Sequence, residues 1–166
     1  MVLEGGVLLI KDNLARRNWI GSKVCSFCNR EETIQHLFFY CAYARFFWRS
    51  IHLVFGLAPP KDVADLFNHW LKQRVRKPNL YLLTGISAMC CVIWLSRNDI
   101  VFNKCQPKTF LQVLFRGTYW LRHWTQLQRS ENQKEKMIQA CRVLEMLALY
   151  LFISHGWPFN LRIVFQ

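Results

Sequence analysis

Acidic residues are scarce in this chain of 166 residues: ten Asp and Glu stand against twenty-two Lys and Arg, for a net charge of +12 and a pI near 9.7. The carboxylates are scattered, with no Tyr-x-Asp-Asp and no spaced aspartate set. That argues against a polymerase or an RNase H, whose chemistry needs clustered carboxylates to hold two metal ions. There is no Ser/His/Asp constellation and no glycine-rich phosphate loop, so the chain reads as non-catalytic, with no small-molecule substrate. A convincing signal peptide is missing, because Glu4 and Gly5-Gly6 interrupt the start. A reducing cytoplasmic or nuclear compartment, and not secretion, is the expectation. No block of five or six like charges provides a disordered basic tail. The longest apolar run, Leu80 to Leu95, holds sixteen residues, just short of a bilayer span; it reads as a buried helix continuing through Ser96-Arg97-Asn98-Asp99 to Phe102.

Present instead is a compact set of soft metal ligands. Cys25, Cys28, His36 and Cys41 follow the spacing C-x2-C-x7-H-x4-C. Three thiolates and one imidazole complete a tetrahedral zinc site and leave no position for a substrate water, which marks one structural ion. Asn29-Arg30-Glu31-Glu32 forms the return loop after the Cys-x-x-Cys turn. Thr33 is the expected N-cap of a short helix carrying His36, with the acidic pair suited to that helix N-terminus. Five residues exceed one helical turn, so His36 and Cys41 would face different ways in a continuous helix. A break near Tyr40 is therefore expected, with Cys41 opening a second helix from Ala42 to about Val54.

The run Lys11 to Trp19, the Cys25/Cys28 turn, Glu32-Thr-Ile-Gln-His36-Leu-Phe-Phe39, Cys41-Ala-Tyr-Ala44 and Trp48 together resemble the reverse transcriptase zinc-binding domain. That domain closes the polymerase reading frame of plant LINE-type (non-LTR) retrotransposons. The resemblance covers about residues 9 to 57 and implies Cys25, Cys28, His36 and Cys41 as the zinc ligands. Trp94-Leu-Ser-Arg97-Asn98 with Phe102, and Gly156-Trp157 with Arg162-Ile163, look like the tail that follows the domain in such elements. Ala42 replaces the family's usual proline, and Ile10 its capping threonine. The family's aromatic-rich preceding segment is not found in the first nine residues, which implies a C-terminal fragment with a shortened start.

The expected fold is mainly α, a small Cys3His zinc module with short helices followed by a helical region. The expected division is a lead-in at 1–10, the zinc-binding domain at 11–57 and the helical region at 58–166, with the boundary at Gly56-Leu-Ala-Pro-Pro60. Lys11 to Trp19 reads as a helix with Leu14 and Trp19 inward, Lys11, Arg16 and Arg17 outward, and Gly21-Ser22 ending it. Tyr43, Phe46, Phe47 and Trp48 are too many for one helix face. Core packing is favoured over stacking on bases, with Arg45 and Arg49 on the remaining face. Further helices are expected at Lys61–Arg74, from N-cap Thr109 to about Arg129 with Phe110, Leu114, Trp120, Leu121, Trp124 and Leu127 inward, and at Glu135–Ile153. The Arg74–Lys77 cluster reads as a phosphate contact or a solvated helix end. Cys90, Cys91, Cys105 and Cys141 read as buried or idle thiols, and His52 and His69 as packing or surface residues.

The functional expectation is a zinc-binding module that also binds RNA or DNA. Arg16, Arg17, Lys23, Arg30, Arg45 and Arg49 are the candidate backbone contacts. Charge alone fits an anionic membrane surface equally, although the short apolar run disfavours a span. The alternatives are a protein-interaction module docking on a reverse transcriptase core, and an expressed remnant with no selected function.

Overall fold

The computed structural model describes residues 8–70, 80–106 and 108–155. The lead-in before Leu8, the Arg74–Lys77 cluster and the segments around Gly156-Trp157 and Arg162-Ile163 lie outside the described residues, as does the His69 side chain. Among the described residues all regular elements are helical, and the sole extended pairing is the antiparallel bridge Val24–Glu31.

Helix α1 (Lys11–Arg16) is shorter than the sequence suggests. Asn18 takes φ 61°, a left-handed conformation that asparagine tolerates, so the chain leaves the helix before Gly21-Ser22. Gly21 instead lies against the Trp19 indole. Lys11 does not point outward: it is buried, and its ammonium donates to the Val24 carbonyl at 2.5 Å. Its long stem covers apolar surface while the head finds a backbone acceptor.

Helix α2 (Ala42–Phe55) ends at Gly56, whose φ of 63° and N–H bond to the His52 carbonyl at 2.8 Å make a left-handed cap. Tyr43, Phe46, Phe47 and Trp48 are all buried, so these four build core and offer no stacking face to bases, whereas Phe55 at the end of α2 is exposed. After Pro60 the chain folds back. Asp62 caps the one-turn helix α3 (Val63–Asp65), which runs into a π-turn at Leu66–Trp70. That replaces the start of the expected Lys61–Arg74 helix. Trp70 donates to the Ala58 carbonyl and meets Trp48 edge-on at 5.9 Å, which pins the turn onto α2.

The longer helices follow. Helix α4 (Leu80–Val101) buries Ile86, Met89, Cys90, Val92 and Ile93, and also Ser96 and Arg97, as fits an element that is apolar on most sides. Helix α5 (Phe110–Thr125) opens with a full capping box: Thr109 Oγ1 accepts from Gln112 N–H at 3.2 Å and Gln112 Oε1 accepts from Thr109 N–H at 2.9 Å. At Gly117 a side chain would meet the Met89 sulfur at 2.9 Å, so glycine permits the close crossing of α4 and α5. Because α5 stops at Thr125, Leu127 is 78 % exposed and not inward as its spacing suggests. Helix α6 (Glu131–His155) begins four residues before the expected Glu135. Its first turn has good helix formers but no apolar stripe, so periodicity misses it.

One contiguous core joins Ile10, Cys25, Phe38 and the α2 aromatics to Ile93 of α4, Leu114 of α5 and Leu144 of α6. The described helix long and apolar enough to cross a bilayer is Glu131–Ser154, not the Leu80–Leu95 run. Its Met137, Cys141, Leu144 and Ala148 are packed inside the protein.

Candidate metal centre

The four ligands are delivered by two local devices. A short ladder holds the first pair: Cys25 N–H donates to the Arg30 carbonyl at 2.7 Å and Glu32 N–H to the Lys23 carbonyl at 3.0 Å, with Cys25-x-x-Cys28 at the tip. A π-turn, His36–Tyr40, delivers the second pair. Thr33 Oγ1 accepts the His36 N–H at 3.0 Å, the expected cap. The Cys41 N–H then reaches the His36 carbonyl at 2.6 Å, five residues back. Such an i to i+5 bond brings positions 36 and 41 over one another, which an α-turn would not do. Cys41 itself is extended (φ −61°, ψ 147°), so the expected break falls between the turn and α2.

The ligand atoms of Cys25, Cys28, His36 and Cys41 all lie within 4.8 Å of one another. Cys25 and Cys41 sulfurs are 3.9 Å apart, close to the roughly 3.8 Å that two thiolates span across a tetrahedral zinc ion. Cys28 Sγ and His36 Nε2 are at 3.1 Å, a direct hydrogen bond that must open by a few tenths of an ångström to admit an ion. Cys25, His36 and Cys41 are buried and Cys28 is partly exposed. The donor set and its spacing fit a closed zinc site.

Of the three clustered thiols, Cys25 is the one shifted down. Hydrogen bonding from Cys41 outweighs burial and, with help from His36 and the Phe27 N–H, pulls its thiol down to about 4. Cys41 is pushed far up, by that same bond and by burial, and Cys28 is raised chiefly by burial. Three neighbouring thiolates repel without a cation, so the full ligand set calls for a metal to deprotonate it.

The candidate basic residues fall into three groups. Arg16 and Arg17 are exposed on and just after α1, Arg16 paired with Asp12 at 3.2 Å. Lys23 and Arg30 are exposed on the two sides of the cysteine ladder. Arg45 and Arg49 follow one another at i, i+4 on α2, with Arg45 half-buried and Arg49 exposed. The structure thus brings Lys23 and Arg30 beside the metal ligands.

Two important residues escape the sequence reading. Glu32, expected to serve the helix at Ile34, is fully buried and turned the other way. One of its oxygens accepts from Lys11 N–H at 2.9 Å, capping α1, and from Arg97 Nε and Nη2 at 2.9 and 2.6 Å. Arg97 is also fully buried; it donates through Nη1 to Asn98 at 2.9 Å and lies over the Phe102 ring at 5.5 Å. An arginine inside the most apolar helix requires a buried acid, and that was the available signal.

The remaining cysteines are free thiols. Burial pushes Cys90 up to about 12 and Cys141 to about 11, whereas Cys105 is exposed. Asp99 and Glu145 are committed to bases: Lys108 and Arg116 hold Asp99 below its ordinary value, and Arg122 does so for Glu145 through bonds of 2.5 and 2.6 Å.

Residues 2–48 match the family model described as zinc-binding in reverse transcriptase. That match and the Cys3His cluster support a reverse transcriptase zinc-binding domain in the N-terminal part of the chain. No curated protein and no solved structure matches the chain.

Proposed function

We propose that the protein is a non-catalytic, nucleic-acid-binding module built around one structural zinc ion held by Cys25, Cys28, His36 and Cys41. The observation that carries the metal reading is the convergence of these four donor atoms within 4.8 Å. Its origin is the C-terminal end of a plant LINE-type retrotransposon polyprotein. The family match to residues 2–48 and the Arg97-Asn98 and Phe102 positions support that origin. The non-catalytic reading is supported by Glu32, Asp99 and Glu145, whose carboxylates serve ion pairs. Single-stranded RNA is the first ligand to test, contacted through phosphates by Lys23 and Arg30 beside the ligands and by Arg16, Arg17, Arg45 and Arg49 further out. The free cysteines suit an intracellular, cytoplasmic or nuclear setting.

The test has two stages. Elemental analysis should find one zinc per chain, absent from Cys28→Ser; a metal-free wild type would overturn the reading. RNA titration should then give an affinity that falls steeply with salt and is lost on chelation, whereas absent or salt-independent binding would remove the nucleic-acid part. A second reading, docking on a reverse transcriptase core, is favoured by Met146, Leu149, Tyr150 and Ile153, which are exposed on α6 at i, i+3, i+4, i+7 spacing.

A further inference from the structure

We infer that zinc occupancy and the seating of α4 and α5 on the N-terminal module are one coupled event, so that the metal controls helices far from its ligands in sequence. This rests on the zinc reading above.

Two contacts carry the coupling, and both begin at the ligands. Phe27 lies between Cys25 and Cys28; its ring stacks on Tyr43, two residues beyond Cys41, at 4.2 Å. Tyr43 in turn meets Phe110, the first residue of α5, at 4.4 Å, and its hydroxyl donates to the Lys108 carbonyl. On the other side, the ladder that closes the Cys-x-x-Cys turn fixes Glu32, whose carboxylate receives Arg97 from the middle of the core. Beyond one bridge the turn has no regular structure: backbone bonds, the Lys11 ammonium on the Val24 carbonyl and the Phe27 stack hold its flanks, and an ion drawing the four donors together locks those flanks in place. When the ion leaves, Glu32 and Phe27 lose their fixed positions. Arg97 then becomes a buried charge with no compensating acid, and the C-terminal half of α4 cannot stay seated. Coupling of this kind is reciprocal: whatever weakens the Arg97 contact must also weaken zinc binding.

The experiment uses the full chain and follows zinc content and hydrogen exchange in the same samples. Stoichiometric removal of zinc by a chelator should strip protection from amides between Ile93 and Leu111 together with those from Val24 to Cys41. Arg97→Met, which touches no ligand, should bind zinc about 5- to 150-fold more weakly in competition with a chromophoric chelator. Should Arg97→Met fail to fold at any zinc concentration, Phe110→Leu on α5, which loosens the contact with Tyr43 and touches no ligand, decides, and weaker zinc binding is expected there too. Unchanged protection from Ile93 to Leu111 after zinc has demonstrably left would overturn the coupling while leaving the zinc site standing, as would wild-type zinc affinity in the variants. A chain that never held zinc would overturn both.

Discussion

The two parts of this protein are ordered by different physics. Between Leu8 and Cys41 regular structure is sparse: a six-residue helix, one bridge and a π-turn, brought together around four metal-type ligands. Between Leu80 and His155 three long helices enclose aliphatic side chains, with the Thr109 cap and the Arg122–Glu145 ion pair among their polar contacts. A segment with so little regular structure is fixed by the side chains it sends into the shared core, among them Ile10, Leu37 and Phe38, together with the ion its four ligands would hold, whereas long helices are fixed by burying whole faces. Each part should therefore break under a different insult.

The largest effect is expected from the packed part. Ile93→Ala, at a site 2 % exposed, should cost about 2–5 kcal/mol in urea denaturation at saturating zinc. A loss below about 1 kcal/mol would mean that the helices are not held by their core. Next come the two threonine caps, which are chemically alike but placed in different parts. Thr109→Ala should cost about 0.5–2 kcal/mol of helix stability with zinc affinity little changed. Thr33→Ala removes the acceptor for the His36 N–H and should be read chiefly as weaker zinc binding. Equal effects of the two on zinc would erase the distinction between the two parts.

Acid should separate the parts further. Asp99 and Glu145 are held below their ordinary values of 3.8 and 4.5 by Lys108 with Arg116 and by Arg122. A carboxylate lowered in the folded state contributes stability above its unfolded value and loses it as pH falls through the folded one. Glu145→Gln should therefore be less stable than wild type at neutral pH, with the gap closing below 4.5. A gap that widens in acid would contradict the ion pair. The smallest effect belongs to Cys105: alkylation should reach it well before Cys90 or Cys141, and Cys105→Ser should change stability by no more than about 0.5 kcal/mol.

Much of the site was legible in order and spacing, because ligand type and loop length are local properties. Thr33 as a cap, the break before Cys41, the burial of the α2 aromatics and Thr109 as a cap all follow from residues within a few positions of one another. The errors share a cause. Spacing alone points Lys11 outward, Leu127 inward and Glu32 toward the Ile34 helix, whereas each side chain is decided by a partner distant in the chain or by where its helix stops. The π-turn at His36–Tyr40 was seen as a break without its form, since the i to i+5 bond depends on how Cys41 is recruited.

By itself the sequence determined the donor chemistry, the mainly helical fold and the end of α2 near Gly56, because thiolates, apolar periodicity and a glycine cap act over a few residues. Tertiary structure alone decided that Glu32 and Arg97, sixty-five residues apart, share one buried ion pair, and that Phe27 reaches α5 through Tyr43. A buried charge is tolerable only beside its counter-charge, and no local rule specifies which of ten acids will lie there.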